Sequence, residues 1–254
     1  MQNQKIPFSG PYASYLTTVS SLSLQLMIST QFTDAECLNW EKSLIIDLEE
    51  TDTKIVNDEI LQRLKEAPLF MLNELRLSAI SSAIINFTST TEHYIKDIIE
   101  LSLKRNSSLR KKAFSNYPMS ALELEEGLSL NEIKKRIFKT ISAEQSKGQL
   151  FNMKFKKATS FLSIEKSSAQ NELFKSLDSI WGVRNKIAHS NKGFIKEIEI
   201  YTPNKLIILT NEPQKKEYLY FSIALLKIID DFTKYLKEWD SKVLEKWPAS
   251  SFVT

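Results

Sequence analysis

The sequence predicts a mainly α-helical bundle with an inserted basic segment and a small β-hairpin ahead of its last helix. Three observations predict it. Five glycines and seven prolines in 254 residues are too few for a turn-rich sheet protein. Apolar residues recur at helical spacing over 71–103, 168–189 and 217–247. Residues 196–210 change character: "EIEIY" and "KLIIL" flank "TPN", which reads as two strands around a turn.

The elements follow in order. Residues 11–32 mix β-branched and small residues without clear periodicity and are assigned to a helix. Thr33 then stands as an N-cap with Glu36 three residues on, the spacing of a capping box. A helix is expected from Asp34 to about Lys65, with Pro68 ending it. From Met71 to about Leu103 the middle, "LSAISSAIINF", is apolar or small on nearly every side, so this helix is expected at the centre of the bundle. Glu92 and His93, within "TEHYIKDIIEL", therefore need an explanation. Residues 104–130 read as a loop region carrying "KRNSSLRKK", Pro118 and Gly127. Ser129 to about Thr140 reads as a short helix whose Lys134, Lys135, Arg136 and Lys139 cannot all point inward. Residues 168–189 are helical through Leu173, Leu177, Ile180, Trp181, Ile187 and Ala188. The last helix, Glu217 to about Trp247, is expected to turn Leu219, Ile223, Leu226, Ile229, Phe232, Tyr235 and Leu236 inward.

The net charge of +3 hides an uneven distribution. Residues 1–66 hold five basic and ten acidic side chains, whereas 104–157 hold thirteen basic and five acidic, a local net of +8. Two readings of that segment stand: a surface for a polyanion such as RNA, or Lys-rich helix faces that keep the protein in solution. Within it, Phe114 and Tyr117 flank the Arg110–Lys112 run and either stack on bases or anchor a loop. One cysteine, Cys37, excludes an intramolecular disulfide framework and fits a reducing cytoplasm. The start, "MQNQKIPFSG", lacks the features of a signal peptide, and no apolar run approaches the roughly 20 residues of a membrane span.

Most kinds of chemistry find no support in the sequence. Two histidines about a hundred residues apart and one cysteine do not supply a zinc set, and no Asp/Glu cluster has a recognisable ligand spacing. Five scattered glycines make no phosphate-cradling loop, and no GxSxG context occurs. Neither a metal nor a cofactor is expected.

What remains is "WGVRNKIAHSN", residues 181–191, which places Arg184, Asn185 and His189 within six residues. On a helix Asn185 and His189 share a face, while Arg184 is rotated by about 140° from His189. Spacing alone is weak evidence. With its flanks, the string resembles the signature of the HEPN superfamily, helical-bundle domains many of which are metal-independent ribonucleases. Their motif is an Arg, four to six residues, then a His, commonly with Asn after the Arg and a small or apolar residue before the His. Arg184, Asn185, Ala188 and His189 match it position by position. These domains often carry an inward acidic residue beside an aromatic on an earlier helix, and "TEHYIK" offers Glu92 and Tyr94. Ser190 stands where a glycine often follows the histidine. The resemblance covers about 70–103 and 165–240. It implies one HEPN-like domain over 1–254, with a helical extension at 1–70, a basic insert at 104–160 and the hairpin at 196–210.

The resemblance also implies an activity: endoribonucleolytic cleavage by the ribose 2′-OH, in a homodimer whose motifs face each other across a cleft. Arg184 and His189 would be the catalytic pair, supported by Asn185 and by Glu92, which would pair with Arg184 or set the imidazole tautomer. Arg110, Lys111, Lys112, Lys134, Lys135 and Arg136 would contact RNA. The superfamily suggests a cytoplasmic toxin or antiviral-defence effector, with an antitoxin or regulatory protein as its partner. Two alternatives stand beside it: a non-catalytic RNA- or nucleotide-binding or scaffold module of the same fold, and a purely structural helical adaptor. In the plainer readings of the residues, His189 is a cation at a helix C-terminus and Arg184 pairs with Asp178.

Overall fold

A computed structural model describes residues 8–31, 68–115, 129–165, 171–189, 197–203, 205–210 and 215–248. The expected Thr33 cap, the helix from 34 to 65, Cys37 and Tyr117 lie outside these. Among the described residues there are seven helices and one hairpin. In chain order they are α1 (Gly10–Gln31), α2 (Pro68–Arg105), α3 (Ser107–Phe114), α4 (Leu130–Gln145), α5 (Phe151–Phe161), α6 (Asn171–His189), β1 (Glu197–Thr202), β2 (Lys205–Thr210) and α7 (Lys215–Lys246).

α2 is the central element among the described residues and packs against each of the other six described helices. Pro68 stands at its first position, where a missing N–H costs no intrahelical bond. Ile80, Ile84, Phe87, Ile95, Ile98 and Ile99 are fully buried along it. The expectation of a helix without a wet face is corrected: Ser78, Ser82, Asn86, His93 and Asp97 form an exposed stripe. His93 lies on that stripe, its ring Nδ1 2.7 Å from the Ser89 carbonyl.

The loop expected from residue 104 is corrected too. Asn106 ends α2 and caps α3 at once, its side chain accepting the Leu109 N–H at 2.9 Å. Leu109 and Ala113 then bury. A short helix with only two buried residues leaves too faint a periodic signal to separate it from a polar loop. α4 begins with a complete capping box, Ser129 and Glu132 each bonding the other's backbone N–H, and extends past Thr140 to Gln145. α5 has no counterpart among the expected elements. Its apolar residues Phe151, Phe155, Ala158 and Leu162 do keep helical spacing, between lysines.

The core joining α2, α5, α6 and α7 is aromatic. The Phe151 ring lies 4.9 Å from Trp181 and 5.1 Å from Phe232, and Phe87 meets Trp181 edge-on at 6.1 Å. Full burial of such side chains contributes about 1.5–3 kcal/mol each. α7 follows the expected face only in its second half, through Ile229, Phe232, Tyr235 and Leu236. In the first half Tyr218, Phe221, Leu225 and Ile228 turn inward, while Ile223 is 55% exposed. Both strips are apolar there, so periodicity alone could not choose between them.

α1 is fastened to this core by a buried carboxylate. Asp240 on α7 accepts the Ser9 N–H at 2.7 Å, the Ser9 hydroxyl at 2.5 Å and the Tyr94 hydroxyl at 3.0 Å. These donors satisfy a charge with no exposed surface. Ser9 Oγ in turn accepts the Tyr12 N–H in the first turn of α1. The hairpin sits where 196–210 placed it. Ile200 pairs with Ile207 and Ile198 with Leu209, and these four side chains form the buried face. The Tyr201 N–H donates to Ser179 Oγ at 2.8 Å, which fixes the hairpin against α6.

Candidate functional site at the end of α6

The core places the motif. Val183 is buried and Ile187 packs against the core, anchoring one side of the last two turns of α6. Arg184 and Asn185 are left half-buried, and Ala188 and His189 exposed. The Arg184 guanidinium donates through Nη1 to Asn185 Oδ1 at 3.1 Å. Asn185 Nδ2 donates to the Gln149 carbonyl, at 3.2 Å, in the short connection between α4 and α5. His189 is the last residue of α6, one turn beyond Asn185, and its side chain makes no hydrogen bond or ion pair among the described residues. Arg184 makes no ion pair with Asp178 either. Asp178 Oδ1 instead accepts the Asn152 N–H at 2.8 Å. It thereby supplies the first turn of α5 with the acceptor that the N-cap residue, Leu150, lacks.

Glu92 reaches the same region from α2, but not by the expected pairing with Arg184. Its Oε1 accepts the Lys154 ammonium at 2.7 Å and the Trp181 indole N–H at 3.2 Å. Burial pushes the Glu92 carboxyl up. The Lys154 and Trp181 hydrogen bonds, with the charges of Lys154 and Arg184, outweigh burial and hold it below the ordinary range. Arg184 thus acts on Glu92 through its field alone. The expected neighbour Tyr94 faces away, into the Asp240 cluster and against Trp239 at 6.0 Å.

Lys154 is the site residue that sequence reasoning missed. It lies on α5, and the Phe151–Phe155 spacing around it was the available signal. The connection before α5 closes tightly over it. A Cβ on Gly148 would stand 3.0 Å from both Lys154 Cγ and Lys154 N, so glycine permits this approach. Three long-range hydrogen bonds therefore tie the start of α5 to α2 and α6: Lys154 to Glu92, Asn152 to Asp178, and Asn185 to Gln149.

The basic candidates divide. Lys111, Lys112, Lys134, Lys135 and Arg136 are exposed, the last three on α4 opposite buried Ile133 and Ile137. Arg110 is half-buried, and its Nη1 donates to the Leu103 and Lys104 carbonyls at 3.0 and 2.7 Å, closing the C-terminus of α2. Phe114 stacks on Phe138 at 5.9 Å, the anchoring arrangement. A cavity of about 360 Å³ between α6, the hairpin and α7 is bordered by Leu173, Tyr220 and Ile223 and by none of Glu92, Arg184, Asn185 or His189.

A helical bundle with an Arg-x4-His sequence closing an internal helix, and an acidic residue from a central helix beneath it, defines a HEPN-type domain. The sequence model of the RiboL-PSP-HEPN family matches residues 36–238, and the chain belongs to that family. The match takes in the basic segment and the hairpin as well as the motif helix. No curated protein and no solved structure matches the chain. No helix among the described residues is long and apolar enough to cross a membrane.

Proposed function

We propose that this protein is a metal-independent endoribonuclease that cleaves RNA by transesterification. The ribose 2′-OH is an internal nucleophile, so the site has to move protons and stabilise charge on phosphorus. His189 exchanges the proton, since an imidazole has one nitrogen that accepts and one that donates. Arg184 binds the phosphate oxygens and stabilises the charge that develops on them. Asn185 orients the guanidinium through Oδ1, and Glu92 supports the site from below by holding Lys154 and the Trp181 indole. Lys111, Lys112, Lys134, Lys135 and Arg136 supply backbone contacts to RNA, with Arg110 in a structural place. The products are a 2′,3′-cyclic phosphate and a 5′-hydroxyl. In this reading the working unit is a homodimer, whose second copy brings its own pair to the cleft. By analogy with the superfamily the protein serves as a cytoplasmic toxin or defence effector under the control of a regulatory partner.

One observation carries the reading. Arg184 is held by a single neutral side chain, Asn185, while the nearby carboxylate is already occupied by Lys154 and Trp181. Four of the five guanidinium N–H groups make no hydrogen bond within the described residues, and the exposed His189 follows five residues on along the same helix. The test is incubation of purified protein with total RNA in chelator, wild type beside His189→Ala, with end-group analysis of fragments. Cyclic-phosphate ends from wild type alone support the proposal. RNA retained without product, and little affected by the substitution, identifies a binding module instead.

A further inference from the structure

Glu92, Lys154, Trp181 and Arg184 form a set of one carboxylate, two cations and an indole N–H whose pairing is not symmetric. Glu92 Oε1 takes both the Lys154 ammonium and the Trp181 N–H. Arg184 follows Trp181 by three residues on α6, which puts the two on neighbouring positions of one face, and its charge contributes to holding the Glu92 proton affinity down. It makes no bond to that carboxylate, and turns to Asn185 Oδ1 instead. A carboxylate has about four acceptor positions, and a guanidinium is the cation best shaped to take two of them together. Left as the sole cation beside a half-buried Glu92, Arg184 would be drawn onto it.

We propose that Lys154 is a positioning residue: by neutralising Glu92 it leaves the Arg184 guanidinium free for a substrate phosphate. The arrangement of the chain supports this role. Lys154 is delivered by a connection that closes over its stem at Gly148, and the carbonyl of the next residue, Gln149, also holds Asn185. The device that parks the ammonium on Glu92 therefore also sets the side chain that aims Arg184.

This inference concerns the state of Arg184 and rests on the ribonuclease reading only for its consequence. The experiment accordingly has two readouts. The first is the rate at which phenylglyoxal modifies Arg184, followed by peptide mass spectrometry. The second is RNA cleavage in chelator. Lys154→Met should slow Arg184 modification about tenfold and lower kcat/KM by about tenfold to a hundredfold, approaching the loss of a transition-state donor. Lys154→Arg should retain most of both. The pair Lys154→Met with Glu92→Gln should return both readouts to the level of Glu92→Gln alone, a recovery that a merely structural lysine would not produce. Lys154→Gln replaces the Met variant if circular dichroism shows that variant unfolded. Unchanged Arg184 reactivity in the single variant, or no recovery in the double, overturns the inference. Absence of cleavage by wild type with the reactivity pattern intact overturns the ribonuclease reading and leaves the inference standing.

Discussion

The Lys154 ammonium sits 2.7 Å from the Glu92 carboxylate, with the two side chains only 14% and 19% exposed. Pairs withdrawn from water to this degree differ from surface ion pairs. Removing one partner leaves a charge that the surroundings cannot solvate, so such a pair is costly to break even where its net contribution is small. Here it also decides which cation near the motif remains unpaired.

His189→Ala is expected to lower the cleavage rate by about 10²–10⁴-fold, the usual contribution of a general acid–base residue. Its far-ultraviolet circular dichroism and sedimentation should match wild type, because the side chain is exposed and makes no bond among the described residues. Cleavage at the wild-type rate would remove the imidazole from the mechanism.

Glu92 predicts a pH dependence of stability. Its folded pKa is lowered from the ordinary 4.5. The unfolded chain therefore binds this proton more tightly, and the group's stabilisation is present above that value. It is lost as the pH falls from about 4.5 through the lower folded value. Thermal melts of wild type and Glu92→Gln should show a difference that shifts in favour of the variant as the pH drops through this window. Parallel melting curves across it would show that Glu92 gains no such partner on folding.

Asp240→Ala removes the acceptor for Ser9 and Tyr94 and should cost about 2–4 kcal/mol by urea denaturation. The helix Gly10–Gln31 should also become the first site of limited proteolysis, because these bonds fasten its N-terminus to α7. A change under about 0.5 kcal/mol would place the anchorage of α1 elsewhere.

Phe151→Ala opens a cavity where α5 meets Trp181, Phe174 and Phe232. About 3–5 kcal/mol should be lost in denaturant titration. Cleavage should fall further than the remaining folded fraction accounts for, because Lys154 is three residues along the same helix. Activity that tracks the folded fraction would show that the site tolerates a loosened α5.

Charge reversal at Lys134 and Lys135 should weaken RNA binding across sequences and reduce the slope of log affinity against log salt by about one per lost phosphate contact. Filter binding at several salt concentrations measures both. Folding should be unaffected, since these side chains are exposed while Ile133 and Ile137 make the contacts of α4. Unaltered salt dependence would return the segment to the role of a solvated helix face.

Much of the bundle was legible because its signals are local. Apolar residues three and four apart announce α2, α6 and the second half of α7, and alternation announces the hairpin. The motif was legible for the same reason, since Arg184, Asn185 and His189 lie within a turn and a half of helix. α3 and α5 were not. Each is short, and α5 carries lysines among its apolar residues, so its inward face is defined by the aromatics waiting on other helices. The inward face of the first half of α7 escaped for a related reason. Two adjacent strips there are apolar, and only contact with the rest of the core distinguishes Phe221 from Ile223.

By itself the sequence determined the long helices α2, α6 and α7, the hairpin and the polar hexapeptide that closes α6, because each is specified by residues a few positions apart. Only the tertiary structure decided which cation Glu92 holds. Lys154 is 62 residues away from it and Trp181 is 89 away. Partner choice over such separations follows from how α2, α5 and α6 pack, since a charge withdrawn from water pairs with whichever opposite charge the packing brings within hydrogen-bond distance.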